Sequence, residues 1–232
     1  SFTIKGAIPD PPFFAAYYLM KKLEESGIET NKEAISLFEL NQMEDFESTK
    51  RTVLHTHYSP TLKDIVEITN MKSINLYCEA MLRYLGFEKK GDPSAEVGVL
   101  VIKEHLKTNG FSSEHLFMED GSGLSPFNTV SSFQMASIMR LIAKDKKLYS
   151  AFRPSLPVAA KSGALRYMFK NTAASGRIRA KSGGMKRVRS YTGYAETKTG
   201  KLLAFSIICN HFTCESSVMR KKMEQVMLRM VD

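Results

Sequence analysis

The sequence has few cysteines and no recognisable metal-binding motif. Three cysteines cannot form an even framework of disulfides, and no Cys-x-x-Cys pair is present. The five histidines are scattered, so we predict no metal site and no cofactor. Cys209 and Cys214 could pair across the turn between them, and the sequence alone does not decide this. Cys78 lies in a helical pattern and is expected to be a small core residue.

The sequence also lacks a long apolar run and a signal peptide. No apolar stretch approaches the roughly 20 residues that a membrane-spanning helix needs, so we predict no transmembrane segment in this chain. The chain does not open with the basic and then apolar stretches of a secretory signal. Residues 1–5 instead resemble the middle of a strand. We therefore expect the chain to begin inside a larger precursor.

Basic residues outnumber acidic ones, and the net charge is +9. One interpretation is attraction to a polyanion, such as nucleic acid, a membrane surface or an anionic cell-wall polymer. The other interpretation is a basic surface that is simply solvated. The basic residues are dispersed apart from the run 186–189, and no nucleic-acid-binding motif accompanies them. We therefore expect no nucleic-acid partner.

Apolar periodicity and turn signals predict an α+β fold. A helix capped by Asp10 and started by Pro11 and Pro12 is predicted to run to Glu25, and Ser59-Pro60 is expected to begin another that ends near Thr69. Short strands are expected at 2–8 and within 28–50. Further helices are predicted at 76–85, 94–107, 132–143 and 218–230. Strands at 178–181, 189–196 and 201–209, with a hairpin turn at 197–200, predict an antiparallel sheet flanked by helices.

The tripeptide Lys-Ser/Thr-Gly occurs three times, beginning at Lys161, Lys181 and Lys198. The copy at Lys198 falls at the predicted hairpin tip, and the copy at Lys161 follows Pro157 in a loop. Only Lys181 lies at the end of a predicted strand, where the following glycines let an extended ligand backbone approach closely. The copy at Lys181 is therefore the candidate for a binding or catalytic role.

The residues near Lys181 suit acyl transfer from a peptide. This reaction needs a nucleophile, a base, a proton relay, a carboxylate anchor and an oxyanion hole in one cleft. Lys181 offers a fixed cation, and Ser182 offers a hydroxyl that can bind a terminal carboxylate. Ser73 and Asn75 lie at a predicted helix-to-helix junction, where the hydroxyl can relay a proton and the amide can bind substrate. Taken alone, Ser73-x-Asn75 could equally be a helix cap.

The order of these motifs resembles that of the D-alanyl-D-alanine carboxypeptidase/endopeptidase family, the class C low-molecular-mass penicillin-binding proteins. The resemblance covers essentially all 232 residues and is carried by 69–80, by 119–125 with Asn128, and by 180–183 with 191–195. It implies a penicillin-binding/β-lactamase-like transpeptidase domain and a serine-type acyl-enzyme mechanism. The implied substrates are peptidoglycan stem peptides ending in D-Ala-D-Ala, with β-lactams as inhibitors of the complete enzyme. The implied location is the periplasm or another extracytoplasmic compartment.

The resemblance also implies a role for each site residue. Lys181 and Ser182 would bind the carboxylate of the C-terminal D-alanine or of a β-lactam. The N–H of Gly184 would be one donor of the oxyanion hole, and the nucleophile itself would supply the other. The implied catalytic residues are Ser73, Asn75 and Lys181, and the implied substrate-binding residues are Ser182, Gly183 and Gly184.

The family's nucleophile motif, serine-x-x-lysine, is absent from this sequence, because no serine is followed by lysine three residues later. Ser59 and Lys63 are one position too far apart, and Ser59 is expected to cap a helix. We therefore predict that residues 1–232 are the C-terminal portion of a single transpeptidase-like catalytic domain and form no acyl-enzyme alone. Two alternatives stay open: a non-catalytic module that binds cell-wall peptides, and a polyanion-binding protein.

Overall fold

The computed structural model describes residues 6–43, 52–53 and 55–232. The chain divides into two units, Ser1–Tyr58 and Ser59–Asp232. Of the strand expected at 2–8, residues 1–5 lie outside the described residues, and residues 6–8 form no strand. Within the described ranges, no helix is long and apolar enough to cross a membrane. The assignment of residues 1–232 to one catalytic domain stays a prediction.

The described part of the first unit contains two helices. Helix α1 (Pro11–Glu25) begins as predicted, because the Asp10 carboxylate accepts the N–H of Phe13 at 2.9 Å. Helix α2 (Leu37–Leu40) is nucleated by a capping box between Ser36 and Glu39. The short strands expected within 28–50 are therefore wrong for residues 28–43, and residues 44–50 lie outside the described residues.

The second unit, of which every residue is described, contains six α-helices. Helix α3 begins at Leu62 and not at Pro60, because the Thr61 hydroxyl caps it and accepts the N–H of Asp64 at 3.3 Å. Two single-turn 3-10 helices, Arg153–Ser155 and Gly163–Leu165, follow α7. The helices are α3 (Leu62–Lys72), α4 (Asn75–Lys90), α5 (Ala95–Thr108), α6 (Ser132–Lys144), α7 (Lys146–Phe152) and α8 (Ser216–Arg229).

Helix α4 does not end at Gly86, as the sequence predicts, but continues to Lys90. Gly91, with φ 75°, is the left-handed residue that ends it. Gly86 serves close packing instead, because a Cβ there would lie 2.6 Å from the carbonyl oxygen of Asp92 and 2.9 Å from the amide nitrogen of Gly98. The glycine therefore lets α4 lie directly against the start of α5.

The three predicted strands form one antiparallel sheet in the order β1 (Ile178–Met185), β2 (Val188–Glu196), β3 (Leu202–Asn210). Helix α8 packs on one face through a core that includes Ile178, Ala180, Tyr191, Phe205 and Met227. On the other face, the Tyr194 hydroxyl donates to the carbonyl of Met139 in α6 at 2.8 Å. The predicted α+β fold, an antiparallel sheet flanked by helices, is confirmed, with helices packed on both faces of the sheet.

Strand β1 is an edge strand that is covered over only its first half. Ala180 donates its N–H to the carbonyl of Pro157 at 3.0 Å, and Ala159 donates to the carbonyl of Ile178 at 2.9 Å. Because main-chain groups alternate between the two edges of a strand, the N–H groups of Ser182 and Gly184 also face this outer edge. No described main-chain segment pairs with the edge there, so it can accept an extended ligand.

Candidate active site

Ser73 lies at the junction between α3 and α4. It ends α3 in the left-handed conformation, with φ 55° and ψ 56°, and Asn75 is the first residue of α4. This sharp change of direction leaves the Ser73 side chain outside both helices. Its hydroxyl accepts a hydrogen bond from Lys181 Nζ at 2.8 Å. The structure thus brings together the two residues whose proximity the sequence predicts.

Lys181 lies on the face of β1 opposite the α8 core, since its neighbour Ala180 is buried against that core. Its ammonium group also donates to the carbonyl of Ser182 at 2.7 Å. Burial lowers the pKa of Lys181, and the nearby Cys78 thiol partly opposes this shift. Among the described residues, no carboxylate lies within 4.0 Å of this ammonium group. A desolvated cation without an acidic partner is suited to bind the carboxylate of a ligand.

The segment 153–165 holds α3 and β1 in their relative positions. Asn70, near the end of α3, donates its side-chain N–H to the Ser155 hydroxyl at 2.7 Å, and Ser155 is fully buried. The same segment pairs with the first half of β1 through Pro157. The contact between Ser73 and Lys181 is therefore a consequence of the packing around it.

Of the remaining predicted site residues, Ser182 is half-buried, and Asn75, Gly183 and Gly184 are exposed. Asn75 is exposed, and its side chain makes no hydrogen bond to a described residue. Gly183 and Gly184 are exposed on the second half of β1. A Cβ on Gly184 would make only ordinary van der Waals contacts, the nearest at 3.8 Å, so a side chain of that size would fit there. The catalytic and binding roles of these residues stay predictions.

Residues 119–128, which we call the aspartate loop, pack against α4. The Asp120 carboxylate closes the loop by accepting the N–H groups of Gly123, Leu124 and Ser125 at 2.7, 3.0 and 2.7 Å. Burial opposes its charge, but these bonds and one from the Asn128 side chain outweigh that effect and lower the pKa of Asp120. The loop therefore has a fixed conformation at neutral pH.

Sequence reasoning missed Glu79, which joins the aspartate loop to α4, and misassigned Cys78. Glu79 follows Asn75 by four residues and so shares its helix face, which is the one signal that could have identified it. Cys78 is not a core residue, because it is only half-buried and lies on the side of α4 near Lys181. In the structure Cys209 and Cys214 are both free, so the pairing considered for them does not form.

In each of the other two Lys-Ser/Thr-Gly copies, a polar side chain is bonded to another part of the protein. The Ser162 hydroxyl accepts the N–H of Val158 at 3.0 Å, which closes a turn. Lys198 lies at the β2–β3 hairpin, as predicted, and its ammonium group pairs with Asp232 at 2.7 Å. Lys181 is therefore the copy whose surroundings suit the binding of a ligand.

A cavity of about 720 Å³ lies between residues 109–117 and α6, and none of the predicted site residues lines it.

Comparison with solved structures identifies the fold as that of a penicillin-binding protein. Penicillin-binding protein 4 of Haemophilus influenzae, solved in complex with a β-lactam, superposes with a TM-score of 0.82 at 24% sequence identity. The match covers 97% of this chain and 51% of that chain. The penicillin-binding fold predicted from the motifs is thus confirmed.

The sequence comparisons give the family. The pattern of the D-Ala-D-Ala carboxypeptidase 3 (S13) family matches residues 1–230, and the chain belongs to this family. It is 29% identical over 213 residues to a D-alanyl-D-alanine carboxypeptidase of Actinomadura sp. (strain R39), covering 90% of this chain and 38% of the relative. It is 26% identical over 216 residues to the D-alanyl-D-alanine carboxypeptidase DacB of Haemophilus influenzae, covering 91% and 43%. The chain thus spans less than half the length of these relatives.

Proposed function

We propose that the polypeptide containing this chain is a serine-type D-Ala-D-Ala carboxypeptidase or endopeptidase of peptidoglycan metabolism. The observation that carries the proposal is the 2.8 Å hydrogen bond from Lys181 Nζ to Ser73 Oγ, beside an unpaired strand edge. Membership of the D-Ala-D-Ala carboxypeptidase 3 (S13) family supports it. The substrates are stem peptides ending in D-Ala-D-Ala, and the β-lactam bound by the similar Haemophilus influenzae protein supports β-lactams as inhibitors.

Each residue of the site has a role in this reaction. The Lys181 ammonium group and the Ser182 hydroxyl bind the C-terminal carboxylate, which places the scissile peptide bond along the outer edge of β1. Because Ser73 accepts its hydrogen bond from Lys181, its own proton is free to pass to the leaving D-alanine nitrogen. The exposed Asn75 amide binds the substrate backbone.

Beyond these groups, the acyl-enzyme step needs an oxyanion donor, a nucleophile and a base. The N–H of Gly184 faces the outer edge of β1, where it serves as one donor to the developing oxyanion. The attacking serine and its base belong to a serine-x-x-lysine motif, which this sequence does not contain. The chain therefore supplies the relay, the anchor and part of the oxyanion hole, and we place the reaction in an extracytoplasmic compartment where peptidoglycan is found.

Two measurements test the proposal. The polypeptide that contains this chain is expected to release D-alanine from a diacyl-lysyl-D-Ala-D-Ala peptide and to be labelled covalently by a fluorescent penicillin. The 232-residue chain alone is expected to stay unlabelled. Absence of both D-alanine release and labelling would contradict the function. Labelling of the 232-residue chain would contradict the prediction that it lacks the nucleophile.

A non-catalytic module that binds cell-wall peptides is a second candidate function. It is favoured by one observation, which is that Lys181, the proposed carboxylate anchor, occurs in a sequence without serine-x-x-lysine. Binding of D-Ala-D-Ala peptides without D-alanine release by the containing polypeptide would support this candidate over the enzyme.

Polyanion binding is not favoured by the surroundings of the basic run. The Arg187 guanidinium donates to the carbonyls of Phe212 and His211 at 3.0 and 2.9 Å, and Arg189 donates to the Ser216 hydroxyl at 2.8 Å. These two arginines fasten the segment 211–216 to the β1–β2 hairpin. Part of each guanidinium group is therefore engaged within the protein.

A further inference from the structure

Glu79 binds two main-chain N–H groups of the aspartate loop with one carboxylate. Its Oε2 accepts the N–H of Gly121 at 3.0 Å, and its Oε1 accepts the N–H of Ser122 at 2.8 Å. These partners lie 42 and 43 residues away in the chain. A carboxylate that accepts two main-chain N–H bonds is a stronger link than a neutral side chain could provide. The bonds therefore fix one point of the loop to α4.

The loop touches α4 at the residue next to Glu79. A Cβ on Gly121 would lie 2.5 Å from the carbonyl oxygen of Cys78, so only glycine allows this contact. The Cys78 thiol in turn lies near Lys181. Because Asn75 is one helical turn before Glu79 on the same face of α4, the loop lies beside the part of the helix that carries Asn75.

Electrostatics keep Glu79 in its binding form. Burial opposes its charge, but hydrogen bonds from the Ser122 side chain and from the Gly121 and Ser122 N–H groups outweigh that effect, so the pKa of Glu79 lies below its ordinary value. The neighbouring Asp120 carboxylate acts in the opposite direction. Glu79 is therefore ionised at neutral pH and accepts both bonds.

We propose that Glu79 is a positioning residue, which holds the aspartate loop as a wall of the peptide site beside Asn75. Through this wall Glu79 acts on the acyl part of the substrate, while Lys181 and Ser182 bind its terminal carboxylate. The inference rests on the proposed function, because the substrate is the D-Ala-D-Ala peptide assigned there. It extends that function by adding a residue that touches no substrate atom itself.

Glu79→Gln tests the inference, with Glu88→Gln as the matched control. The amide group introduced by Glu79→Gln retains one acceptor oxygen and turns an N–H group toward a loop N–H, so one bond is lost. Glu88 lies on the same helix and is exposed, and its single hydrogen bond to a described residue is accepted from the Tyr84 hydroxyl at 3.3 Å. Binding of acetyl-D-Ala-D-Ala and of acetate to the 232-residue chain is measured by NMR, together with the amide signals of Gly121 and Ser122.

If Glu79 is a positioning residue, its replacement should affect dipeptide binding but not acetate binding. Glu79→Gln is expected to weaken binding of the dipeptide about tenfold, to shift the Gly121 and Ser122 signals, and to leave acetate binding unchanged. Glu88→Gln is expected to change none of these. Gly121→Ala, which displaces the loop while Glu79 stays intact, is expected to reproduce the loss and provides the test if Glu79→Gln does not fold.

Three outcomes would overturn the inference in distinguishable ways. Equal losses of dipeptide and acetate binding would assign Glu79 a general structural role. Unchanged dipeptide binding in both Glu79→Gln and Gly121→Ala would show that the loop is not part of the site. If the wild-type chain binds acetate at Lys181 but no dipeptide, the proposed function fails, and the inference fails with it.

Discussion

Ser73 and Lys181 are joined by a hydrogen bond of 2.8 Å although 108 residues separate them in the chain. The bond links the left-handed end of α3 to an edge strand of the sheet. The segment 153–165 packs against both elements, so the contact is held by the fold on each side. The acyl-transfer interpretation depends on this contact, and each group in it can be changed separately.

Lys181→Met is expected to abolish ligand binding while preserving the fold. Methionine keeps most of the apolar stem but removes the ammonium group that is proposed to bind the carboxylate. Burial lowers the pKa of Lys181, which means that folding disfavours its charge. Replacing it by an apolar side chain should therefore change the free energy of unfolding by less than about 1 kcal/mol. Isothermal titration with acetyl-D-Ala-D-Ala and urea unfolding measure the two effects.

Lys198→Met is the control for Lys181→Met, because it alters another copy of the same tripeptide. Its exposed ion pair with Asp232 contributes little to stability. Ligand binding should equal that of the wild type. Equal binding losses in both variants would show that net charge, and not the position of Lys181, determines affinity.

Ser73→Gly is expected to reduce turnover of the substrate without lowering the stability of the fold. A non-glycine residue at φ 55° costs roughly 1 kcal/mol that glycine does not, so this variant should unfold at a denaturant concentration no lower than that of the wild type. It also removes the hydroxyl that Lys181 contacts. Turnover of D-Ala-D-Ala peptides by the containing polypeptide should fall at least about 100-fold, as for loss of a proton-relay group. Undiminished turnover would rule out Ser73 as the relay.

Replacement by alanine is expected to lower the stability of the protein at Gly193 but not at Gly184. At Gly193 a Cβ would lie 2.0 Å from the carbonyl oxygen of Arg179, so Gly193→Ala should destabilise the sheet by about 1–3 kcal/mol or more. At Gly184 the nearest atom would be 3.8 Å away, and Gly184→Ala should fold normally. Thermal unfolding measures both. A similar loss of stability in the two variants would contradict the fit of a Cβ beside Gly184.

Acid is expected to release the aspartate loop before the sheet unfolds. The pKa values of Glu79 and Asp120 lie below their ordinary values, so their bonds stabilise the fold above about pH 4, the unfolded value, and are lost as the pH falls through the folded values. The groups that face them are each other and the Cys78 thiol. Amide exchange of Gly121 and Ser125 should accelerate below that pH, whereas Tyr191 stays protected. If the Gly121 and Ser125 amides stay protected from exchange down to about pH 2, the ionised Glu79 and Asp120 carboxylates are not what holds the loop.

The sequence predicts the sheet and the main contact of the site because their signals are local. Strands β1 to β3 have turn residues between them, Asp10 caps α1 as predicted, and α5 and α6 begin within one residue of the predicted positions 94 and 132. The proximity of Ser73 and Lys181 follows from the family resemblance and is seen in the structure.

The missed features depend on partners that are distant in the sequence. Glu79 looks like any acidic residue on a helix until the aspartate loop, 42 residues later at Gly121, donates to it. Gly86 looks like a helix end, but the glycine is required by close packing against the start of α5. Such contacts arise from tertiary packing, which overrides local propensity.

A crystal structure of the containing polypeptide with a bound peptide ending in D-Ala-D-Ala would test the central claim most directly. The account predicts that the terminal carboxylate lies about 3 Å from both Lys181 Nζ and Ser182 Oγ, with the peptide along the outer edge of β1. A peptide bound elsewhere, such as in the cavity between residues 109–117 and α6, with Lys181 still bonded only to Ser73 and Ser182, would contradict it.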